Sequence, residues 1–369
     1  MTGNLCIFSS SDDLGVMVVR NLLIKLLRHR YPRTRLILAA EAAVMERVAD
    51  FHRRLSWIDD FAQLDTERPQ TAQQEASLKR QLAAWDFEMI VFGPECKFPY
   101  RIAQDCGIPR RVGFSADARQ RGFLTHLAPL RDAQDRDLHW SAVIAAYAEA
   151  LGMRDFESVA GQIPFLRLPQ GGGDPFAQAP GPRVAVHVGG NAEWNRRWPL
   201  EKFARLCLRL ALHWQASIVL LGGKGEAFEN QSIISQVRDQ RPSAAIRDLS
   251  GCPVDATADC IARADLFVGN DSGPMNMAVA VGTPIVALRG ADAENFRPDL
   301  VDRQHVVFSG WRNCSRYLNG SNTCDLGCPV AYDRSKQEYP KCMERISFQS
   351  VWKAVEERLE TAAYPLRSS

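Results

Sequence analysis

Short, continuous apolar runs alternate with longer stretches of helical spacing from the first residues onward. Leu5 to Phe8 has the character of a buried strand, and Val18, Val19, Leu22, Leu23, Leu26 and Leu27 mark the apolar positions of a helix from about Leu14 to His29. Pro32 stops that helix, and a second apolar run, Leu36 to Ala39, follows at once. Strand, helix and strand in this order predict a βαβ unit, with parallel strands and a right-handed crossover. The rhythm recurs with a strand over Phe87 to Phe92, a helix after Pro99 and a strand over Arg111 to Phe114. Such alternation predicts an α/β sheet covered by helices on both faces.

Between Pro169 and Pro182 the segment PQGGGDPFAQAPGP carries too much glycine and proline for helix or strand to persist. The α/β rhythm then restarts, with strands over Val184 to Val188, Ser217 to Leu221, Leu266 to Val268 and Pro284 to Leu288, and helices from Pro199, near Phe228 and after Gly273. The expected organisation is a first domain over 1–170, a linker over 171–182, a second domain over 183–345 that includes a cysteine-rich loop at 311–342, and a last segment over 346–369. Two Rossmann-like halves joined in this way predict a ligand cleft between them. In the last helix, about Phe348 to Glu360, Val351, Trp352, Val355 and Leu359 form one apolar face that must pack on something.

Composition narrows the function classes. The 369 residues are 46% hydrophobic and 24% charged, enough for two buried cores, and a net charge of +2 leaves no global footprint for nucleic acid. An anionic ligand must therefore be held by local groups. No apolar run approaches the roughly 20 residues of a membrane-spanning helix, and the start MTGNLCIFSSSDD lacks the basic and apolar regions of a signal peptide, so a cytoplasmic location is expected. Arg20, Lys25, Arg28, Arg30, Arg33 and Arg35, on the first helix and its exit, read as a solvated basic face.

The most informative stretch runs from Leu266 to Leu288, a buried strand, a polar turn, a helix and another buried strand. Asp271 and Ser272 are favoured helix N-cap residues, Gly273 permits close backbone approach, and Pro274 suits the first helical turn. The amides of that turn, reaching on through Met275 and Asn276, and the positive end of the helix dipole suit a diphosphate. Beyond these features, the run resembles the D-S/T-G-x-x-H-x-A-x-x-x-G-x-P signature of glycosyltransferase family 9, the lipopolysaccharide heptosyltransferases, with Asp271, Ser272, Gly273, Ala278, Gly282 and Pro284 in place. Asn276 stands where the family usually carries histidine.

Two further segments are similar to family elements. Val184 to Ala204 contains a buried strand, a glycine turn with Gly190 and Asn191, and a basic pair before Pro199, with Arg196 at the position of the family's lysine. A guanidinium there would stabilise the charge that builds on the departing phosphate. Leu220 to Glu229 is a strand and glycine turn carrying Glu226, and in the family an acidic residue after this strand accepts from the nucleotide ribose, as a carboxylate suits a diol.

The resemblance implies a GT-B fold with two Rossmann-like domains facing a central cleft, in which the last helix crosses back to the first domain. It implies inverting transfer of a heptose or related sugar from an ADP-sugar to a hydroxyl of a lipopolysaccharide core or a protein, without a catalytic metal. Such work brings at most peripheral contact with the inner membrane, and self-association stays open. Family members carry a glycine-aspartate pair at the first helix, the aspartate being the base; here the pair falls on Gly15 and Val16. Valine cannot accept a proton, so Asp13, close by in the same loop as Asp12, becomes the candidate base, its alternative task being to cap the helix. Val16 and Asn276 also favour a second reading, a catalytically idle nucleotide-sugar-binding or scaffold protein. An epimerase acting on a UDP-sugar would need further acidic and histidine residues that the pattern lacks.

Cys314, Cys324, Cys328 and Cys342 fall in one polar loop, where four thiolates can surround a structural zinc or iron. Free thiols are the alternative reading. In this feature the chain resembles the autotransporter-adhesin heptosyltransferases, which hold iron in a four-cysteine finger. Elemental analysis of the purified chain is expected to return about one zinc or iron per chain; finding neither removes the site.

Overall fold

A computed structural model describes residues 3–66, 68–93, 96, 98–115, 117–130, 139–153, 165–168, 173–176, 180–190, 196–291, 304–311, 335–336 and 338–362. The chain divides into two compact units, Met1–Arg167 and Leu168–Ser369.

The first unit is built on β1 (Asn4–Ser9), β2 (Leu36–Glu41), β3 (Asp60–Leu64), β4 (Phe87–Phe92), β5 (Arg110–Gly113) and β6 (His126–Leu127), all parallel, in the order β3-β2-β1-β4-β5-β6. Helices α1 (Leu14–Arg30), α2 (Ala42–Leu55), α3 (Ala72–Ala83), α4 (Tyr100–Asp105), α5 (Ala118–Arg121) and α6 (Trp140–Ala150) connect or flank these strands. The central strands are buried along almost their whole length, as a sheet covered on both faces requires. Phe8, Phe92, Phe98 and Tyr100 gather their rings at one end of β1 and β4.

The second unit repeats the plan. Strands β7 (Arg183–His187), β8 (Ser217–Leu221), β9 (Ile246–Asp248), β10 (Leu266–Asn270), β11 (Ile285–Ala291) and β12 (Val306–Trp311) form a parallel sheet in the order β12-β11-β10-β7-β8-β9. Its helices are α7 (Leu200–Arg209), α8 (Ala227–Gln240), α9 (Val254–Ala262), α10 (Gly273–Val281), α11 (Lys341–Arg345) and α12 (Phe348–Thr361). Both sheets have the doubly wound Rossmann-like order, in which the chain reverses direction across the sheet between the first and fourth strands of the unit, and ligands of such sheets bind at the carboxyl ends of those two strands. The switch point lies between β1 and β4 in the first unit and between β7 and β10 in the second.

One expectation needs correction. The family resemblance sends the last helix back to the first domain, but the apolar face of α12 lies in the core of the second unit: Phe348, Val351, Trp352, Val355 and Leu359 share one cluster with Trp198, Phe203 and Leu206. The Phe348 ring stacks on Trp198 with centroids 6.5 Å apart, and the guanidiniums of Arg205 and Arg209 lie over Phe348 and Trp352. That combination satisfies the helix locally. Within the glycine- and proline-rich stretch Phe176 is buried and Asp174 accepts from Arg183 at 2.9 Å.

Candidate functional site

The second switch point is held together by a buried amide. Asn270 closes β10 with no exposed surface; its Nδ2 donates to the carbonyls of Val188 (2.8 Å) and Gly189 (3.0 Å), and its Oδ1 accepts from the Trp198 amide (3.1 Å). One side chain thereby fixes the backbone leaving β7 and the residue two places after Arg196. A buried amide with its groups satisfied orders its surroundings, because every alternative arrangement leaves polar atoms stranded.

Asp271 follows, and its carboxylate meets two arginines. Its Oδ2 lies 3.2 Å from Arg196 Nη1 and 3.2 Å from Arg289 Nε. Ser272 is the N-cap residue of α10 by backbone geometry, yet its side chain makes no capping hydrogen bond. Its Oγ donates to the Asn270 carbonyl at 2.9 Å and lies 3.0 Å from His187 Nδ1. The expected capping by Asp271 and Ser272 side chains therefore does not form. The amides of Gly273 and Met275 open the helix with no partner inside it, while Pro274 brings none. Asn276 Nδ2 donates to the Ser272 carbonyl at 3.2 Å, folding that side chain back on its own helix.

Glu226 closes the other side of the β7 turn. Its Oε1 accepts from the Gly190 amide and its Oε2 from the Gly223 amide, each at 2.8 Å; His187 Nε2 and Arg197 Nη2 lie 3.5 Å from these oxygens. Arg197 Nη2 also donates to the Gly190 carbonyl. A Cβ on Gly189 would stand 1.4 Å from Glu226 Oε1, so only glycine fits there, whereas one on Gly190 would meet nothing within 4 Å. Burial by itself would raise the Glu226 carboxyl, but the hydrogen bond and charge of His187 and the amides of Gly223 and Gly190 outweigh it and hold the group at about 2. Ser272, His187 and Glu226 thus form a hydroxyl, imidazole and carboxylate in series, joining the α10 turn to the turn after β8.

In the first unit Asp13 sits between β1 and α1, at that unit's switch point. It is the N-cap residue of α1, with Oδ1 accepting from the amides of Gly15 (2.9 Å) and Val16 (3.2 Å). Asp12 pairs with Arg47 at 2.5 Å. The solvated basic face is also corrected: Arg20 is buried, its Nη1 donating to Ser9 Oγ at 2.6 Å, and Arg28 and Arg35 are tied to Asp59 and Asp60.

Of the residues singled out in the sequence, Gly190, Arg196, Glu226, Asp271, Ser272, Gly273, Pro274, Met275 and Asn276 lie on the segments that follow β7, β8 and β10. Asn191 lies outside the described residues, as do Cys314, Cys324 and Cys328; Cys342 lies in α11. Among the described residues, no group of three or more His, Cys, Asp or Glu is arranged to hold a metal.

Residues 75–325 match the model of glycosyltransferase family 9 (heptosyltransferase). The chain belongs to glycosyltransferase family 9. Lipopolysaccharide heptosyltransferase 2 of Escherichia coli is 30% identical over 113 residues, which is 30% of this chain and 32% of that protein. The match thus spans about a third of the length of the curated relative. The structure of Escherichia coli ADP-heptose lipopolysaccharide heptosyltransferase II superimposes with a TM-score of 0.64 at 18% identity, covering 98% of this chain and 99% of that one. TibC, described as a bacterial iron-containing dodecameric glycosyltransferase from enterotoxigenic Escherichia coli, gives a TM-score of 0.51 at 14% identity over 98% of this chain and 78% of its own. The fold of this family 9 chain is accordingly GT-B, with two Rossmann-like units.

Reading the sequence of this family 9 member missed Asn270, His187 and Arg289. Each carried a signal: a polar residue closing an apolar strand, a histidine before a double glycine, and an arginine interrupting the run Ile285 to Ala291. The Glu226 clamp generates a pH prediction. A carboxyl held at about 2 against an ordinary 4.5 contributes stability that is fully present above 4.5 and is lost as pH falls toward 2. Glu226→Gln is expected to flatten the acid limb between those values in urea unfolding at graded pH, and to cost about 1–3 kcal/mol at neutral pH. An unchanged acid limb would count against the clamp.

Proposed function

We propose that this family 9 chain is an inverting glycosyltransferase that moves a heptose from an ADP-sugar to a hydroxyl of a lipopolysaccharide core or a protein acceptor. The observation that carries the reading is the meeting, at the carboxyl ends of β7 and β10, of the uncapped start of α10 with the guanidinium of Arg196. Backbone amides, a helix dipole and a cation converging at a switch point suit a pyrophosphate. The similarity to a lipopolysaccharide heptosyltransferase and to an ADP-heptose enzyme supports the donor and the first of the two acceptors.

In this reading the second unit binds the donor and the first supplies the base. The acceptor oxygen attacks the anomeric carbon as its proton passes to Asp13 Oδ2, since Oδ1 is taken by the amides of Gly15 and Val16. The bond between the anomeric carbon and the phosphate oxygen breaks, and ADP leaves with the electron pair. Arg196 and the amides of Gly273 and Met275 stabilise the charge that gathers on the β-phosphate, which makes a catalytic metal unnecessary. Gly190 and Asn191 would line the nucleotide, and Glu226 would shape the turn against which it lies. Pro274 and Asn276 complete the helix opening around Ser272.

A zinc or iron held by Cys314, Cys324, Cys328 and Cys342 would be structural, because four thiolates leave no open position. The description of TibC as iron-containing and dodecameric supports such a metal and an oligomer here. No described helix is long and apolar enough to cross a membrane; we assign the work to the cytoplasmic face of the inner membrane, with peripheral contact at most. Val16 at the family's base position and Asn276, bonded back to Ser272, favour the second reading of a binding protein without transfer.

One experiment separates the two. In a thermal-shift screen against ADP, GDP, UDP and their sugars, ADP-heptose is expected to stabilise the chain most, and transfer to acceptor is expected to fall about 100-fold or more in Asp13→Asn. Stabilisation without transfer selects the binding protein, transfer unchanged by Asp13→Asn removes that base, and no stabilisation by any nucleotide sinks the donor site.

A further inference from the structure

We propose that Arg289 is a positioning residue: a buried counter-ion that neutralises Asp271 and so leaves Arg196 available to a diphosphate. The inference rests on the donor site proposed above and extends it to a residue that never touches the ligand.

Two cations meet on one carboxylate oxygen. Arg289 Nε and Arg196 Nη1 both lie 3.2 Å from Asp271 Oδ2. The two cations differ in their access to solvent, since the side chain of Arg289 is 0% exposed and that of Arg196 is 29% exposed, with Asp271 at 8%. Arg289 belongs to β11, whose Leu288 carbonyl accepts from the Asp271 amide at 3.0 Å, so strand pairing and ion pair bind Asp271 to the same edge. Arg196 lies outside the strands of the sheet. It precedes Trp198, whose amide is fixed by Asn270, and follows residues 191–195, which link it to the glycine turn.

The asymmetry decides which cation can change partners. A carboxylate this buried is costly to leave alone, and a guanidinium that is its only counter-ion is held too tightly to serve an incoming phosphate. With Arg289 permanently in place, the group of three carries a net charge of one positive, and Asp271 stays paired whichever way Arg196 turns. Arg196 can then lie on Asp271 while the site is empty and move to the β-phosphate when it fills. The carboxylate holds the cation in readiness, and the buried arginine prevents that hold from becoming a trap. Removing the charge at 289 reverses the balance: Asp271 takes Arg196 wholly, and an anion approaching the α10 amides meets a neutral group in place of a positive one.

The test is a mutant cycle read by calorimetric titration of the full-length chain with ADP. Arg289→Gln is expected to weaken ADP binding about tenfold, close to 1.4 kcal/mol. Adding Asp271→Asn to that variant is expected to restore affinity to within about threefold of wild type, because the carboxylate that captured Arg196 is gone. Arg289→Lys keeps the charge and is expected to bind within about threefold of wild type. A role confined to packing would give no rescue by Asp271→Asn. A folded Arg289→Gln with wild-type affinity, or a double variant as weak as the single one, overturns the inference. If Arg289→Gln does not fold, the lysine variant decides: wild-type affinity supports the counter-ion, and a tenfold loss in a folded lysine variant overturns it. A wild-type chain that does not bind ADP overturns the inference together with the donor-site reading, whereas wild-type binding without the expected cycle overturns the inference alone.

Discussion

The side-chain amide of Asn270 is the constraint on which the second half of the molecule depends. Parallel pairing of β7 with β10 only brings two strand ends side by side; the chain leaves them toward opposite sides of the sheet, and nothing in the ladder dictates how the two exits relate. Asn270 supplies that relation by bonding to Val188 and Gly189 on one exit and to Trp198 further along it. Because the amide has no access to water, breaking any of these bonds strands a buried polar atom, at a cost of about 1–3 kcal/mol each. The position of Arg196, two residues before Trp198, is a consequence.

Around this point the protein spends its charges in a particular way. Asp271 and Glu226 are engaged by arginines, a histidine and backbone amides, and neither makes a capping hydrogen bond to α10. Among the described residues, three arginines, Arg196, Arg197 and Arg289, pair with these two carboxylates, a local concentration of cations in a chain whose net charge is only +2. A ligand with two phosphates can be recognised by such a locality without a global basic surface. In the Ser272–His187–Glu226 series the side chain best suited to cap α10 is engaged elsewhere, and the helix start carries no side-chain cap.

Much of the architecture could be read from the sequence because apolar runs in a buried parallel sheet are continuous and the intervening helices have a clear period. Leu5 to Phe8, Leu36 to Ala39 and Val184 to Val188 are such runs, and all lie on central strands. Strands β3 and β9 escaped, being short and partly polar edge-side elements, DFAQL and IRD, with no continuous run to detect. The turn at Asp271 was legible as a helix start, but the partner of its carboxylate was not, because Arg289 is distant in sequence and reaches it only through the pairing of β10 with β11. The last helix was legible as amphipathic and illegible in its destination: an apolar stripe says that a face is buried, and only the stacking of Phe348 on Trp198 says where.

The account stands on the diphosphate lying at the β7–β10 switch point. A crystal structure of the chain with ADP bound tests this most directly. The account predicts phosphate oxygens within hydrogen-bonding distance of the Gly273 and Met275 amides and of the Arg196 guanidinium, with Arg289 still on Asp271. Phosphates bound away from β10, or a helix start that meets only protein atoms in the complex, would contradict it.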